Sequence, residues 1–471
     1  MINNCNNDDT IIDPIISNNI FSYIDLCSGV GGFHMAMDRI NEIKSQVLLA
    51  ADINKKCRDV YYKNHEIYPY SDLTKLNITD HADFNGIFAG FSCQPFSYAG
   101  KRLGLDDARG TIIYDIFKII ESKKPDMVCL ENVKGLKSMK NKNKTGTEVM
   151  IYKYIHEHMN NLNYFAYDRI ISPHEINIPQ KRERVVIVGI RKDLVENKIK
   201  TLDEYKKIFD KYVDELIEKR HQKNKNYKVF EEEENVDKKY YLNKNQIDIL
   251  DVWRNFVSMS EWDNIDNKTL LETYNKITKK KTSKNFKQMH FFTEFRNFQN
   301  TREIPKELIG KKRNDKIPIN FKEISDIWNI LYDNNDSIKL LIDRFLKDNK
   351  EKINNMLLRN RFLEYSGNVD YSSNTDLNNM YCQIRQSGIR IRKSNSFPTL
   401  VKSGPRPIII RHNRVLTNKE MSRLQSFKED FKFIDDHSAM NQCGNAVNVQ
   451  VIEIMLRCAF YILGLLKDQS L

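Results

Sequence analysis

The sequence predicts an α/β fold: a doubly wound, mostly parallel sheet with a second, smaller domain. Three observations predict it. From residue 21 to residue 190, short apolar runs alternate with amphipathic helical stretches, the pattern of βα units feeding one sheet. Two of the apolar runs end in glycine-punctuated loops, at the strand edge where open α/β sheets bind ligands. After residue 190 the chain turns rich in Lys, Asn, Asp and Glu, and its 471 residues suffice for two or three domains.

The elements follow in order. Residues 1–19 are polar and Asn-rich and read as a loose arm. "FSYIDLC" (21–27) reads as a strand and "GGFHMAMDRIN" (31–41) as a helix. "QVLLAADI" (46–53) is a second strand, followed by the helix "KKCRDVYYKNH". "GIFAGF" (86–91) is a third strand, and "TIIYDIFKIIESKKP" (111–125) a helix that stops at its proline. "DMVCLENV" (126–133), "YFAYDRIIS" (164–172) and "RVVIVGI" (184–190) complete the strands. Residues 191–350 hold helical pieces such as "DEYKKIFDKYVDELIEKR", and the runs "EEEE" (231–234) and "KKK" (279–281) read as solvated faces. The C-terminal "GNAVNVQVIEIMLRCAFYILGLL" reads as an apolar helix returning to the core. No internal repeat is present.

Composition narrows the setting. The formal net charge of +12 points to a polyanionic partner, nucleic acid before membrane. No apolar run reaches the roughly 18 residues of a membrane-spanning helix. The start "MINNCNNDDT" lacks the basic and apolar regions of a signal peptide. The cysteines are Cys5, Cys27, Cys57, Cys93, Cys129, Cys382, Cys443 and Cys458, and none forms a C-x-x-C pair. That pattern argues for reduced thiols in a cytoplasmic compartment, with no disulfide framework and no metal site. Between Leu377 and Lys419 there is no acidic residue. That window holds Arg385, Arg390, Arg392, Lys393, Lys402, Arg406, Arg411, Arg414 and Lys419 and reads as a surface for phosphates, with Lys402 and Arg406 the foremost candidates.

Several positions carry chemistry. "DLCSGVGGF" (Asp25 to Phe33) takes a strand through a glycine-rich turn into a helix, which lets backbone approach a nucleotide-like ligand. It is not the dinucleotide fingerprint, since G-x-G-x-x-G needs glycine where His34 stands. Asp52 ends the second strand, where an acid holds ribose hydroxyls, and Asp72 follows the next helix, where it can read an adenine amino group. Cys93 lies just beyond the third strand, before a loop with several glycines. It is either a small core residue or an exposed nucleophile. Glu131 sits inside an apolar strand tip, an expensive place for an acid unless it is paired or functional. Arg182 and Arg184 alternate and so share a face. A thiolate, a protonatable carboxyl and an arginine in one cleft can activate an electron-poor ring.

With those residues in view, the chain resembles the DNA (cytosine-5) methyltransferases of bacterial restriction–modification systems. The matching pieces are "DLCSGVGG", "GFSCQPFS", "ENVKGL", "QKRER", "RVLTNKEMSRLQSF" and "QCGNAVNV", in the family's order, over residues 21–190 and 377–460. Three positions depart from it. Ser92 replaces the proline usual before the nucleophile, Cys27 replaces a phenylalanine that packs on the cofactor's adenine, and Ile53 replaces an aromatic residue.

The resemblance implies a Rossmann-like fold dependent on S-adenosyl-L-methionine, with no metal. It implies a loose arm at 1–19, a catalytic and cofactor domain at 20–190, a target-recognition domain at 191–425 and a returning segment at 426–471. Cys93 would add to carbon 6 of a flipped-out cytosine. Glu131 would hold ring nitrogen 3 and the amino group. Arg184 would bind the carbonyl oxygen, supported by Arg182. Asp25, Cys27, Gly29, Gly31, Gly32, Asp52, Ile53, Asp72, Leu73, Asn445 and Val447 would line the cofactor site. Ser97, Lys101 and Arg109 would close over the extruded base, and Gln386, Ser387, Arg390, Thr399 and Leu400 would meet DNA. The implied partner is double-stranded DNA with a specific recognition sequence, bound by a monomer. A transfer-RNA cytosine methyltransferase of the same fold and a catalytically silent DNA-binding module are the alternatives. A nicotinamide-dependent dehydrogenase fails on glycine spacing and leaves Cys93 unexplained.

Overall fold

The computed structural model describes residues 20–78, 81–91, 112–142, 148–257, 336–356, 363–365, 377–385, 388–392, 397–402 and 404–467. The chain enters on β1 (Phe21–Leu26), α1 (Gly32–Asp38), β2 (Ser45–Ala51), α2 (Lys55–His65) and β3 (Gly86–Gly90). It continues through α3 (Ile112–Lys123), β4 (Met127–Val133), a small hairpin β5–β6 (Lys140–Lys142 and Glu148–Met150), α4 (Ile151–Asn161), β7 (Tyr164–Ile171) and β8 (Arg184–Arg191). Each strand expected in this half is present.

Six strands form the central sheet in the order β2-β1-β3-β4-β8-β7. The pairs β1–β2, β1–β3 and β3–β4 are parallel, whereas β8 runs antiparallel to both β4 and β7. The mostly parallel, doubly wound sheet read from the sequence is therefore the observed one. Strand order reverses direction between β1 and β3, the switch point at which such sheets bind ligands.

Strand alternation explains the two-sided core. Phe21, Tyr23, Phe88, Met127 and Cys129 point into one apolar layer, and Ile24, Leu26, Ile87, Val128 and Leu130 into the other. The second layer is closed by α3 and α4 through Ile116, Ile120, Ile151 and Ile155. The first is closed by α1 and by two later helices, α5 (Leu202–Lys223) and, at the C-terminal end, α10 (Val449–Ile462).

The helix α5 lies inside the stretch expected to form the second domain, yet its Tyr205, Phe209, Tyr212, Val213 and Leu216 sit in the main core. Those positions recur at helical spacing, an apolar stripe obscured by the charged residues around it. A polar joint completes the layer. Glu453 on α10, buried at 2% exposure, takes Arg39 at 2.7 Å, Arg220 at 2.6 Å and Arg457 at 3.1 Å. One acid thereby ties α1, α5 and α10 together.

Beyond α5 the chain forms α6 (Lys244–Val257), α7 (Asp336–Asn355) and a separate five-stranded sheet, ordered β13-β12-β10-β11-β9. Its strands are β9 (Leu363–Tyr365), β10 (Tyr381–Arg385), β11 (Gly388–Arg392), β12 (Ile408–Ile409) and β13 (Arg414–Val415). The acid-free window supplies four of the five. Then come α8 (Asn418–Leu424), α9 (Asp436–Asn445) and α10. No helix among the described residues is long and apolar enough to cross a membrane.

Candidate active site

The glycine-rich turn after β1 is built from unusual backbone. Cys27, Gly29 and Gly31 have φ of 51°, 56° and 92°, in the left-handed region that favours glycine. Gly31 caps α1 at its N-terminus, so the helix begins at Gly32. The Ser28 amide donates to Ala51 O at 2.9 Å, and the Gly29 amide to Asp52 Oδ2 at 2.8 Å. Those bonds dock the turn on the tip of β2. Among the described residues, nothing lies within 4 Å of the space that a side chain at Gly29 would take, so the turn borders an opening there.

Asp25 lies beneath this turn. It is fully buried, and neither carboxylate oxygen has a hydrogen-bond partner among the described residues. Burial raises its pKa well above the usual carboxylate range, and the Asp52 charge adds to the rise. Burial also raises Asp52, against the amides of Asn54 and Gly29 that favour its charged form. Cys27 is pushed up to about 12 by the same burial, with Asp52 and Asp25 adding to it. Ile53 is 83% exposed beside Asp52. Asp72 caps a short 3-10 turn at Leu73–Lys75, accepting from the Thr74 amide at 3.1 Å and its hydroxyl at 2.7 Å. Leu73 is buried there. Asn445 is exposed at the end of α9, while Val447 is buried against Gly32.

The strand edge that carries Glu131 is assembled by β3, β4 and β8. Because β8 runs antiparallel to β4, its first residue lies beside the last of β4, pairing Arg184 with Val133. Arg184 Nε then reaches Glu131 Oε1 at 3.0 Å. Glu131 is 7% exposed, and burial raises its pKa above the usual range even though Arg184 and Arg182 favour its charged form. Gly90, the last residue of β3, pairs with Glu131. Asn132 Nδ2 donates to Phe91 O at 3.2 Å and fixes the chain as it leaves the strand. Cys93 lies outside the described residues, but three residues of chain from Gly90 span at most about 11 Å. Ser97, Lys101, Arg109, Gln386 and Ser387 also lie outside the described residues.

Arg182, expected to support Arg184 beside the reacting ring, is buried and lines one small cavity with Glu131 and Arg184. Its guanidinium donates to Leu400 O at 2.8 Å and to Gly444 O and Ala446 O, both at 2.9 Å. One sequence-based assignment needs correction. Leu400, expected at DNA, is fully buried, and its carbonyl is one of these acceptors. Beside it, Thr399 Oγ1 donates to Lys181 O at 2.7 Å.

The basic window is less free than its composition implied. Arg414 is fully buried and pairs with Glu233 at 2.7 Å and Glu420 at 2.8 Å. Arg406, expected to hold phosphate, donates to Leu416 O at 3.0 Å and to Asn418 Oδ1 and Asp436 O at 2.7 Å. Acids outside the window supply the charge balance that its own sequence lacks. Arg390 remains on β11, opposite Gln383 of β10.

With this geometry established, a family model described as C-5 cytosine-specific DNA methylase matches residues 21–459. The chain belongs to that family. Among curated relatives, a type II methyltransferase of Bacillus subtilis, M.BsuFI, is 34% identical over 173 residues, 37% of this chain and 40% of that protein. The type II methyltransferase M.HhaI of Haemophilus parahaemolyticus is 34% identical over 172 residues, 36% of this chain and 50% of that protein. The matched stretch thus spans no more than half of either relative. Among solved structures, a methyltransferase of Entamoeba histolytica aligns over 94% of this chain and 98% of its own, at 16% identity and a TM-score of 0.47.

In this family member the sequence reading passed over Asn132 and Gly444. Asn132 adjoins the strand-tip acid, a placement that signals a second polar task. Gly444 stands where a Cβ would meet Val401 and Lys402 backbone at 2.5 Å and 2.6 Å, so it permits two segments to touch.

Proposed function

We propose that this chain is a sequence-specific DNA cytosine-5 methyltransferase, the modification half of a restriction–modification pair. It acts as a monomer in the cytoplasm, with S-adenosyl-L-methionine as methyl donor. The observation that carries the reading is the Glu131–Arg184 pair at the strand edge from which Cys93 follows.

The residues fit the donor. A buried carboxylate without a partner, Asp25, suits a cationic ligand, and the opening at Gly29 leaves backbone accessible. Asp52 and Asp72, with Cys27, Gly31, Gly32, Ile53, Leu73, Asn445 and Val447, form the rest of the binding set. When bound, the donor supplies an electrophilic methyl group.

The chain's own residues prepare the base. Carbon 5 of cytosine is a weak nucleophile until a thiolate adds at carbon 6. Cys93 forms that bond. Glu131, its proton affinity raised by burial, hydrogen-bonds ring nitrogen 3 and stabilises the adduct by proton donation there. Arg184 holds the carbonyl oxygen as negative charge builds on it. After methyl transfer the carbon 5 proton leaves, and the carbon 6–sulfur bond breaks to restore the ring and the thiolate. Duplex DNA buries this atom face, so the cytosine must leave the stack. Ser97, Lys101 and Arg109 belong to the segment that closes behind it. Sequence reading is assigned to the segment around β10 and β11, with Arg390 on β11 and with Gln386 and Ser387, which lie outside the described residues, as the side chains for base edges.

Methylation-sensitive sequencing of DNA from cells expressing the chain tests this reading. The expected result is 5-methylcytosine at one sequence, absent with Cys93→Ser. Folded protein that methylates no DNA, or that methylates transfer RNA instead, overturns it.

A further inference from the structure

Behind the cofactor turn, on the far side of Gly31, three side chains converge that the proposed reaction does not use. His34 and Asp38 lie one turn apart on α1, with His34 Nε2 3.6 Å from Asp38 Oδ1. His65 ends α2 and stacks on His34, ring centroids 4.1 Å apart. One ligand atom from each of the three lies within 4.8 Å of the others. We propose that His34, Asp38 and His65 form a binding site for a divalent transition cation of the zinc class.

Both imidazoles are held as metal ligands usually are, through the nitrogen that faces away. His34 Nδ1 lies 2.9 Å from the Tyr61 hydroxyl, which leaves Nε2 turned toward Asp38. His65 hydrogen-bonds the Val30 backbone, while its Nε2 is buried with no hydrogen-bond partner among the described residues. A buried ring nitrogen with an unused lone pair is an unsatisfied acceptor, and a cation satisfies it. The space beside Nε2 exists because residue 31 is glycine; a Cβ there would lie 2.4 Å from it.

Two imidazoles and one carboxylate suit zinc, cobalt or nickel rather than calcium or magnesium, with water completing the shell. The rings now lie nearly parallel, 18° apart, so loading requires one of them to tilt until the lone pairs converge. Lys428 Nζ lies 2.7 Å from the other Asp38 oxygen and is the resident competitor for this charge. The bound cation would staple α1 to α2 directly behind the glycine turn.

Cobalt(II) added to the chelator-treated full chain tests the proposal through its visible spectrum. The expected result is one cobalt per chain, with the bands of nitrogen and oxygen ligands and displacement by zinc. Affinity falls more than about tenfold in both His65→Gln and the half-exposed Asp38→Asn, and rises in Lys428→Met. Sub-stoichiometric uptake overturns the proposal. So does uptake unchanged in the folded Asp38→Asn protein, or a spectrum dominated by thiolate charge transfer, which assigns the metal to cysteines.

Discussion

Asp25→Asn should stabilise the free protein while weakening its cofactor binding. The native carboxylate is fully buried with no hydrogen-bond partner, and burial followed by the Asp52 charge raises its pKa well above the usual range. The folded chain therefore holds this proton more tightly than the unfolded chain, whose carboxyl titrates near 4. Stability then falls as pH rises from about 4 toward the folded value, at about 1.4 kcal/mol per unit. Asparagine keeps the shape, removes the charge and removes this pH dependence. Since a buried amide is itself left unpaired, the expected net gain is on the order of 1–3 kcal/mol at pH 8, and smaller at pH 5. Urea denaturation of both proteins at the two pH values reads the gain. Calorimetry with S-adenosyl-L-methionine reads the loss of affinity. An Asn variant less stable than the native chain at both pH values refutes the reasoning, because the carboxylate must then have a partner in the fold.

Three further outcomes follow from the site. Arg182→Met orphans three buried carbonyls and should destabilise the fold by about 3–5 kcal/mol, and Arg184→Met, which leaves the buried Glu131 without its partner, should cost a comparable amount and abolish methyl transfer; denaturation and single-turnover assays read the two effects. Cys93→Ser should eliminate turnover and leave cofactor binding intact by calorimetry, and 5-fluorocytosine DNA should trap a covalent complex with the native chain alone. Asp72→Ala and Asp52→Ala should both weaken cofactor binding by calorimetry, and each should also lower stability by denaturation, because Asp72 accepts from the Thr74 amide and hydroxyl and Asp52 from the Gly29 and Asn54 amides.

The parallel half of the fold was legible because each strand is a short apolar run closed by a turn or a proline. The helix α5 was not, because its stripe of Tyr205, Phe209, Val213 and Leu216 is diluted by lysines and acids that face solvent. At the site, Glu131 announced itself by the cost of an acid in an apolar strand. Arg182 and Arg184 share a motif and a spacing, so the sequence puts both on one face, with Arg184 at the carbonyl oxygen and Arg182 in support. What divides them is where β8 begins. Arg184 is its first residue and faces Glu131, while Arg182 precedes it and turns into the joint between distant segments. The charge of the window misled for a related reason. Its balancing acids, Glu233 and Glu420, lie outside it in sequence and meet Arg414 only in space.

That joint also explains how the two faces of the molecule are held in register. Arg182 bonds the carbonyls of Leu400, Gly444 and Ala446, and the missing side chain at Gly444 lets Val401 and Lys402 lie directly on it. The next residue along, Val447, presses on Gly32 at the cofactor turn and also borders Gly90 beside Glu131. A short path of buried contacts thus runs from the segment leaving the second sheet to the turn before α1. A side chain added at Gly444 meets the Val401 and Lys402 backbone, so it must push that segment and the α9 end apart. The Gly444→Ala variant should therefore raise the KM for DNA and the KM for the methyl donor together. A change confined to one of them would show that the segments bind independently despite their contact.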